Sequence, residues 1–132
     1  AASDVYKRQK KDRVDDAIHA TKAAIKEGIV SGGGVALLNA AQKLKGSDEG
    51  ESIFIKAIKA PYQTILNNAG LENVAEPTKK GWGTNVVTGK SVSMIKSGII
   101  DPVLVTKTAL KNAVSVATTI LSTDCVINNM RE

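Results

Sequence analysis

Three groups of residues in this chain are of a type and spacing that can do chemistry. Gly32, Gly33 and Gly34 stand in a row ahead of a helical apolar pattern. Backbone N–H groups at a helix start, with no side chains in the way, make a seat for phosphate, because the first turn has unpaired donors and the helix dipole favours an anion. The triad alone also reads as a flexible turn, and it matches neither GxGxxG nor the P-loop pattern. The second group is Asp15 and Asp16. Asp16 shares a helical stripe with Ala20, Ala23 and Ala24, so its carboxylate stands where another element can come close. Such a carboxylate orients water or approaches a metal–phosphate cluster. The plainer alternative is a solvated acid that the helix dipole favours near an N-terminus. The third is Asp101, directly before Pro102. Aspartate at an N-cap followed by proline at the first helical position is a helix start.

Other residues lose their chemical reading on inspection. Thr88-Gly89-Lys90-Ser91 looks like the tail of a P-loop, but that pattern requires glycine at position 84, which is threonine. His19 lies four residues after Asp15 and reads as a surface pair partner. Cys125 is the only cysteine. It can form no internal disulfide and has no CxxC partner for a metal, so it reads as a packed thiol.

The elements that must position these groups follow from periodicity. Val14, Ala17, Ile18, Thr21 and Ile25 recur at helical spacing between Lys10 and Gly28, and the glycine ends that helix. A second helix after the triad carries Val35, Leu38, Ala41 and Leu44, and gives way to the polar loop KGSDEGES. A third, from about Glu51 to Asn68, places Phe54, Ile58, Tyr62 and Ile65 on one side. Pro61 must kink it or open a new segment. Residues 71–80 read as a short, weak helix. WGTNVVTGKSVS, Trp82 to Ser93, reads as a hairpin about Thr88-Gly89-Lys90. A helix from Asp101 to about Ser122 is supported by Val103, Leu110, Ala113, Val114, Ala117 and Leu121, and CVINNM reads as a strand in need of a partner. The expected fold class is mainly α, a helical bundle with a small β-hairpin.

Composition narrows the function classes. The chain has 132 residues, 42% of them hydrophobic but only 3% aromatic. That supplies a core of small aliphatic side chains suited to close helix packing. No apolar run reaches the length of a membrane span, and AASDVYKRQKKDR lacks the apolar region of a secretory signal. The formal charge of +5 is concentrated in Lys7, Arg8, Lys10, Lys11 and Arg13 and otherwise interspersed with acids. With no aromatic RNA-reading motif or zinc-finger spacing, neither nucleic acid nor membrane is an expected partner. One lone cysteine suits a reducing, cytoplasmic setting.

Read in order, KKDRVDDAIHATKAAIKEGIVSGGGVALL, KAPYQTILNNAG, GIIDPVLVTKTALKNAVSVATTIL and STDCVINNM resemble the C-terminal equatorial segment of the group I ring chaperonins, the GroEL type. The resemblance covers about Lys10 to Glu132. It implies an ATP-driven protein-folding machine whose equatorial domain is assembled from both ends of the subunit. Residues 1–9 then form a leader unlike the family, a possible cloning or sequencing remnant. Residues 10–28 are a piece of the hinge-like intermediate domain, and residues 29–132 the C-terminal part of the ATP-binding equatorial domain.

By the same resemblance, Asp16 falls on the catalytic aspartate that helps position the attacking water after a hinge motion. Gly32 and Gly33 fall on the glycines beside the nucleotide. Asn85, Val86 and Val87 occupy the adenine-side strand, and Asp101 matches the aspartate that hydrogen-bonds the ribose hydroxyls. Thr84-Asn85-Val86-Val87 stands where the family often has Tyr-Asn-Ala-Ala, which changes how adenine packs.

The implied cofactor is ATP or ADP with Mg2+. The GDGTTT phosphate loop and its metal-binding aspartate are absent and belong to the N-terminal part of the subunit. The implied partners are copies of the subunit in a ring, with unfolded client proteins and a co-chaperonin engaged through an apical domain that this sequence does not contain. This chain alone is expected to be inactive, and a stand-alone helical interaction module without ATPase activity is the alternative.

Overall fold

A computed structural model describes residues 2–125 and 127 of the chain. The strand expected in CVINNM falls largely outside them. The first helix, α1 (Ala2–Glu27), is followed by strand β1 (Ile29–Ser31), the glycine turn and the short helix α2 (Val35–Ala41). Helix α3 (Glu49–Asn68) leads through an irregular segment to the hairpin β2 (Trp82–Asn85) and β3 (Lys90–Ser93). Strand β4 (Ile100–Pro102) and helix α4 (Val103–Leu121) complete the order. The fold is mainly helical with two small antiparallel pairs, β1 with β4 and β2 with β3.

Helix α1 packs against α4 and β4, and it does so with its small residues. Ala23 is buried and Ala20 and Ala24 are half-buried, whereas Val14, Ile18 and Ile25 face outward. The larger apolar stripe is therefore not the packed one, because alanines let two backbones approach and branched side chains hold them apart. The helix ends with Gly28 N–H donating to the Ala24 carbonyl.

Helix α3 starts on a cap legible in its sequence. The Asp48 carboxylate accepts from the Glu51 N–H, and the Glu51 carboxylate accepts in return from the Ser47 N–H and hydroxyl. The Ser47 hydroxyl, and after it the Ser47 N–H, holds the Glu51 carboxyl below its ordinary value. A lowered folded pKa means the cap is complete above the unfolded glutamate value and is lost as pH falls through the lowered one. Protection of the Ser47 amide, measured against its intrinsic exchange rate at each pH, should therefore fall on acidification, and Glu51→Gln should remove that pH dependence of protection.

Pro61 neither breaks α3 nor opens a new segment. The carbonyl that loses its partner belongs to Ala57, an exposed residue, so the loss falls on the solvent side of the helix. The buried face is Ile58, Tyr62 and Leu66, with Ile65 turned outward. Val35, Leu38, Tyr62, Leu66 and Met94 make the core, flanked by Leu71, Val74, Val92 and Ile99.

Two further expectations are corrected. Residues 71–80 form no helix; the segment is tied down by the Gln42 amide donating to the Pro77 carbonyl at 3.0 Å and by the Lys59–Glu76 ion pair at 2.9 Å. Helix α4 starts at Val103 with Pro102 as its N-cap and no capping side chain, so Asp101 is a strand residue and not the cap. None of the apolar residues of α4 is buried; Val116 and Ile120 are each 59% exposed.

Candidate functional site

The glycine turn, the hairpin and the approach to β4 converge on one cleft. It holds about 280 Å³ and is lined by Gly33, Tyr62, Ile65, Leu66, Thr84, Asn85, Val86, Val87, Met94 and Ile99. Each wall has a local reason. The β2–β3 ladder pairs Trp82 with Ser93 and Asn85 with Lys90, so the chain must reverse over residues 86–89. Val86 and Val87 thus sit in the hairpin turn rather than in a strand. The Asn85 side-chain carbonyl accepts from the Val87 N–H at 3.0 Å and shapes that turn. Val87 is 89% exposed at the rim, and Val86 is 40% exposed.

The opposite wall is the glycine turn. The Gly32 N–H donates to the Ile99 carbonyl at 3.0 Å, which staples the turn to the segment entering β4. That donor is therefore engaged and is not free for an anion. The Gly33 and Gly34 N–H groups have no backbone partner among the described residues. Asp101 comes two residues after Ile99, the spacing that returns an extended chain to the same side. Its register partner is Val30 in β1, and its side chain is half-buried.

Of the seven site residues read from the sequence, Gly33, Asn85, Val86 and Val87 line the cleft. Gly32 and Asp101 do not line it, though they are close in sequence to Gly33 and Ile99, which do. Asp16 is apart from them. It is exposed on α1, eleven residues before the helix ends, or about 16 Å along the axis. The cleft also includes Thr84, which the resemblance had set beside the adenine-side residues, and Tyr62 and Met94, of which the first was read as an apolar-face residue of the third helix and the second was given no role. The signal at Tyr62 was an i, i+4 position on α3, which does not distinguish a core wall from a cleft wall.

A larger hollow of about 660 Å³ lies on the other side of α2, lined mainly by apolar residues, with Lys43 and Lys80 at its edges. None of the site residues read from the sequence lines it. Inside it the Asn39 side-chain oxygen is buried without a partner among the described residues. No group of three acidic, histidine or cysteine side chains among the described residues is placed to hold a metal ion. No described helix is long and apolar enough to cross a membrane.

The chain is thus a mainly helical domain with a small, largely apolar cleft between a glycine turn and a hairpin. The sequence model of the TCP-1/cpn60 chaperonin family matches residues 1–131. The chain belongs to that family, and it is a chaperonin polypeptide.

Proposed function

We propose that this chain is the C-terminal equatorial part of a group I chaperonin subunit and that its cleft takes the adenosine end of ATP. The observation carrying this is the meeting of Gly33, Asn85, Val86 and Val87 around one apolar slot, with Asp101 two residues along the chain from Ile99 in its wall. An apolar slot suits a nucleobase, and a carboxylate with acceptor capacity suits the ribose hydroxyls. Asp101 has no capping duty in α4, which leaves its oxygens for a ligand.

Phosphoryl transfer depends on holding phosphates and metal together, and this chain offers only the base and ribose side. The remaining phosphate and Mg2+ ligands would come from the N-terminal part of the subunit. Asp16 would orient the attacking water once α1 swings about the Gly28 region toward the cleft. In the complete cytoplasmic subunit, hydrolysis would time the release of a client held by the apical domain and closed in by a co-chaperonin. Residues 10–28 would belong to the intermediate domain and residues 29–132 to the equatorial domain of a ring.

The test is a calorimetric titration of Mg-ADP into this chain, with and without the N-terminal equatorial segment of such a subunit. Binding is expected only with the two together, at an affinity lowered at least about ten-fold in Asp101→Ala, the worth of a hydrogen bond to a charged group. Equal, tight binding by the chain alone would overturn the division of the site. Binding that is indifferent to Asp101→Ala would remove the ribose role.

A further inference from the structure

Helix α1 has two apolar faces, and only one of them is covered. The helix packs on α4 and β4, and its more buried side is that of Ala20, Ala23 and Ala24. On the opposite side Val14, Ile18 and Ile25 are 57%, 45% and 80% exposed, and Thr21 among them is exposed as well. A shallow groove along this side is lined by Arg13, Val14, Ala17, Ile18, Thr21 and Lys22. We propose that this face is an interface and that its occupant is α1 of a second copy of the chain, packed antiparallel about a two-fold axis. The inference does not depend on the nucleotide reading above.

The spacing decides the kind of partner. Val14, Ile18, Thr21 and Ile25 follow one another in steps of four, three and four, which is the apolar seam of a coiled coil. Ile18 and Ile25 take the a positions, and Val14 and Thr21 take the d positions. An antiparallel pair then stacks Val14 on Ile25 and Ile18 on Thr21, and the two-fold axis repeats both layers.

A two-fold interface must be complementary to itself, and here the charges are. Asp15 and Lys22 both stand at the e position beside the seam, and both are exposed. Reversing one helix against the other sets each Asp15 next to the Lys22 of the copy. Charge pairs beside the seam set partner choice and orientation. A parallel pair would instead set Lys11, the preceding a position, against its own copy. The exposed apolar face of α4 offers no such match. Val116 and Ile120 are each 59% exposed there, but the charged residues of α4 are Lys107 and Lys111 alone, so a second copy would meet only like charge.

Analytical ultracentrifugation of the purified chain tests the pairing. The chain is expected to sediment as a dimer that dissociates on dilution. Ile18→Asp places an unpaired carboxylate in the seam and is expected to raise the dissociation constant about a hundred-fold or more. Lys22→Asp and Asp15→Lys should each raise it about ten-fold, because two symmetry-related exposed pairs turn from attraction to repulsion. The double variant Asp15→Lys/Lys22→Asp exchanges the signs and keeps both pairs, so it is expected to recover the unaltered constant. All four changes fall on exposed positions, and circular dichroism should show the helices intact. A monomer at every concentration would overturn the inference and leave the seam to another part of a longer subunit. A dimer that survives Ile18→Asp but dissociates in Ile120→Asp would move the contact to α4 and overturn it as well. A double variant no tighter than the single reversals would rule out the antiparallel pairing.

Discussion

Gly34→Ala is expected to lower the stability of this domain by about 3 kcal/mol or more, a large share of the roughly 5–15 kcal/mol that a folded domain has. Two costs combine. Gly34 has φ +77°, a left-handed conformation that costs an L-residue roughly 1–2 kcal/mol. In addition, the new Cβ would lie 2.8 Å from the Tyr62 nitrogen and 2.9 Å from its Cα. Those are backbone atoms of α3 and cannot rotate aside, so α2 and α3 must separate, at the roughly 1–3 kcal/mol typical of overpacking. Gly28→Ala is the control. Its φ is +84°, but nothing lies within 4 Å of the added Cβ, so only the conformational cost of roughly 1–2 kcal/mol is expected. Urea denaturation followed through Trp82, the sole tryptophan, measures both. Equal losses in the two variants would show that α2 does not press on α3 as described.

Leu38→Ala is expected to cost about 2–5 kcal/mol, the range for removing a buried leucine when its surroundings relax only partly. Leu38 is 0% exposed and packs in the core with Val35, Tyr62, Leu66 and Met94. Its helix has only seven residues, too short to persist without tertiary contacts, so losing the leucine removes much of what holds α2 in place. The same denaturation experiment reads the effect. Leu44→Ala provides the contrast. Leu44 was read as part of the same stripe, but α2 ends at Ala41 and Leu44 is 38% exposed. A change well under that of Leu38→Ala is expected there. A large loss at Leu44 with little at Leu38 would mean that the core is misplaced.

Much of this was legible in the chain itself. The helices between Lys10 and Gly28 and between Glu51 and Asn68, and the Trp82 to Ser93 hairpin, are set by patterns local in sequence: apolar spacing, the Asp48–Glu51 cap, and turn residues between β-branched runs. The resemblance to the chaperonins was carried by long contiguous segments and agrees with the family match. What periodicity could not decide was which apolar stripes are buried. On α1 the stripe of Ala20, Ala23 and Ala24, read as the face of close approach, is the more buried one, while the branched stripe is left exposed. The apolar residues of α4 appeared to support a core and are left unburied.

Only the tertiary structure paired Val30 with Asp101, some seventy positions apart in sequence. Three-residue strands have no readable periodicity, and their partners come together only when the intervening α2, α3 and hairpin have folded. That pairing changed Asp101 from a helix cap into a strand residue. It also brought the Ile99 carbonyl onto the Gly32 N–H. The same folding brought Tyr62 of α3 and Thr84 of β2 into the wall of one slot. Residue type and local spacing therefore determined which chemistry was available in this chain. Long-range packing determined which of those groups share a site, because chain closure over many residues depends on shape and contacts that no local pattern contains.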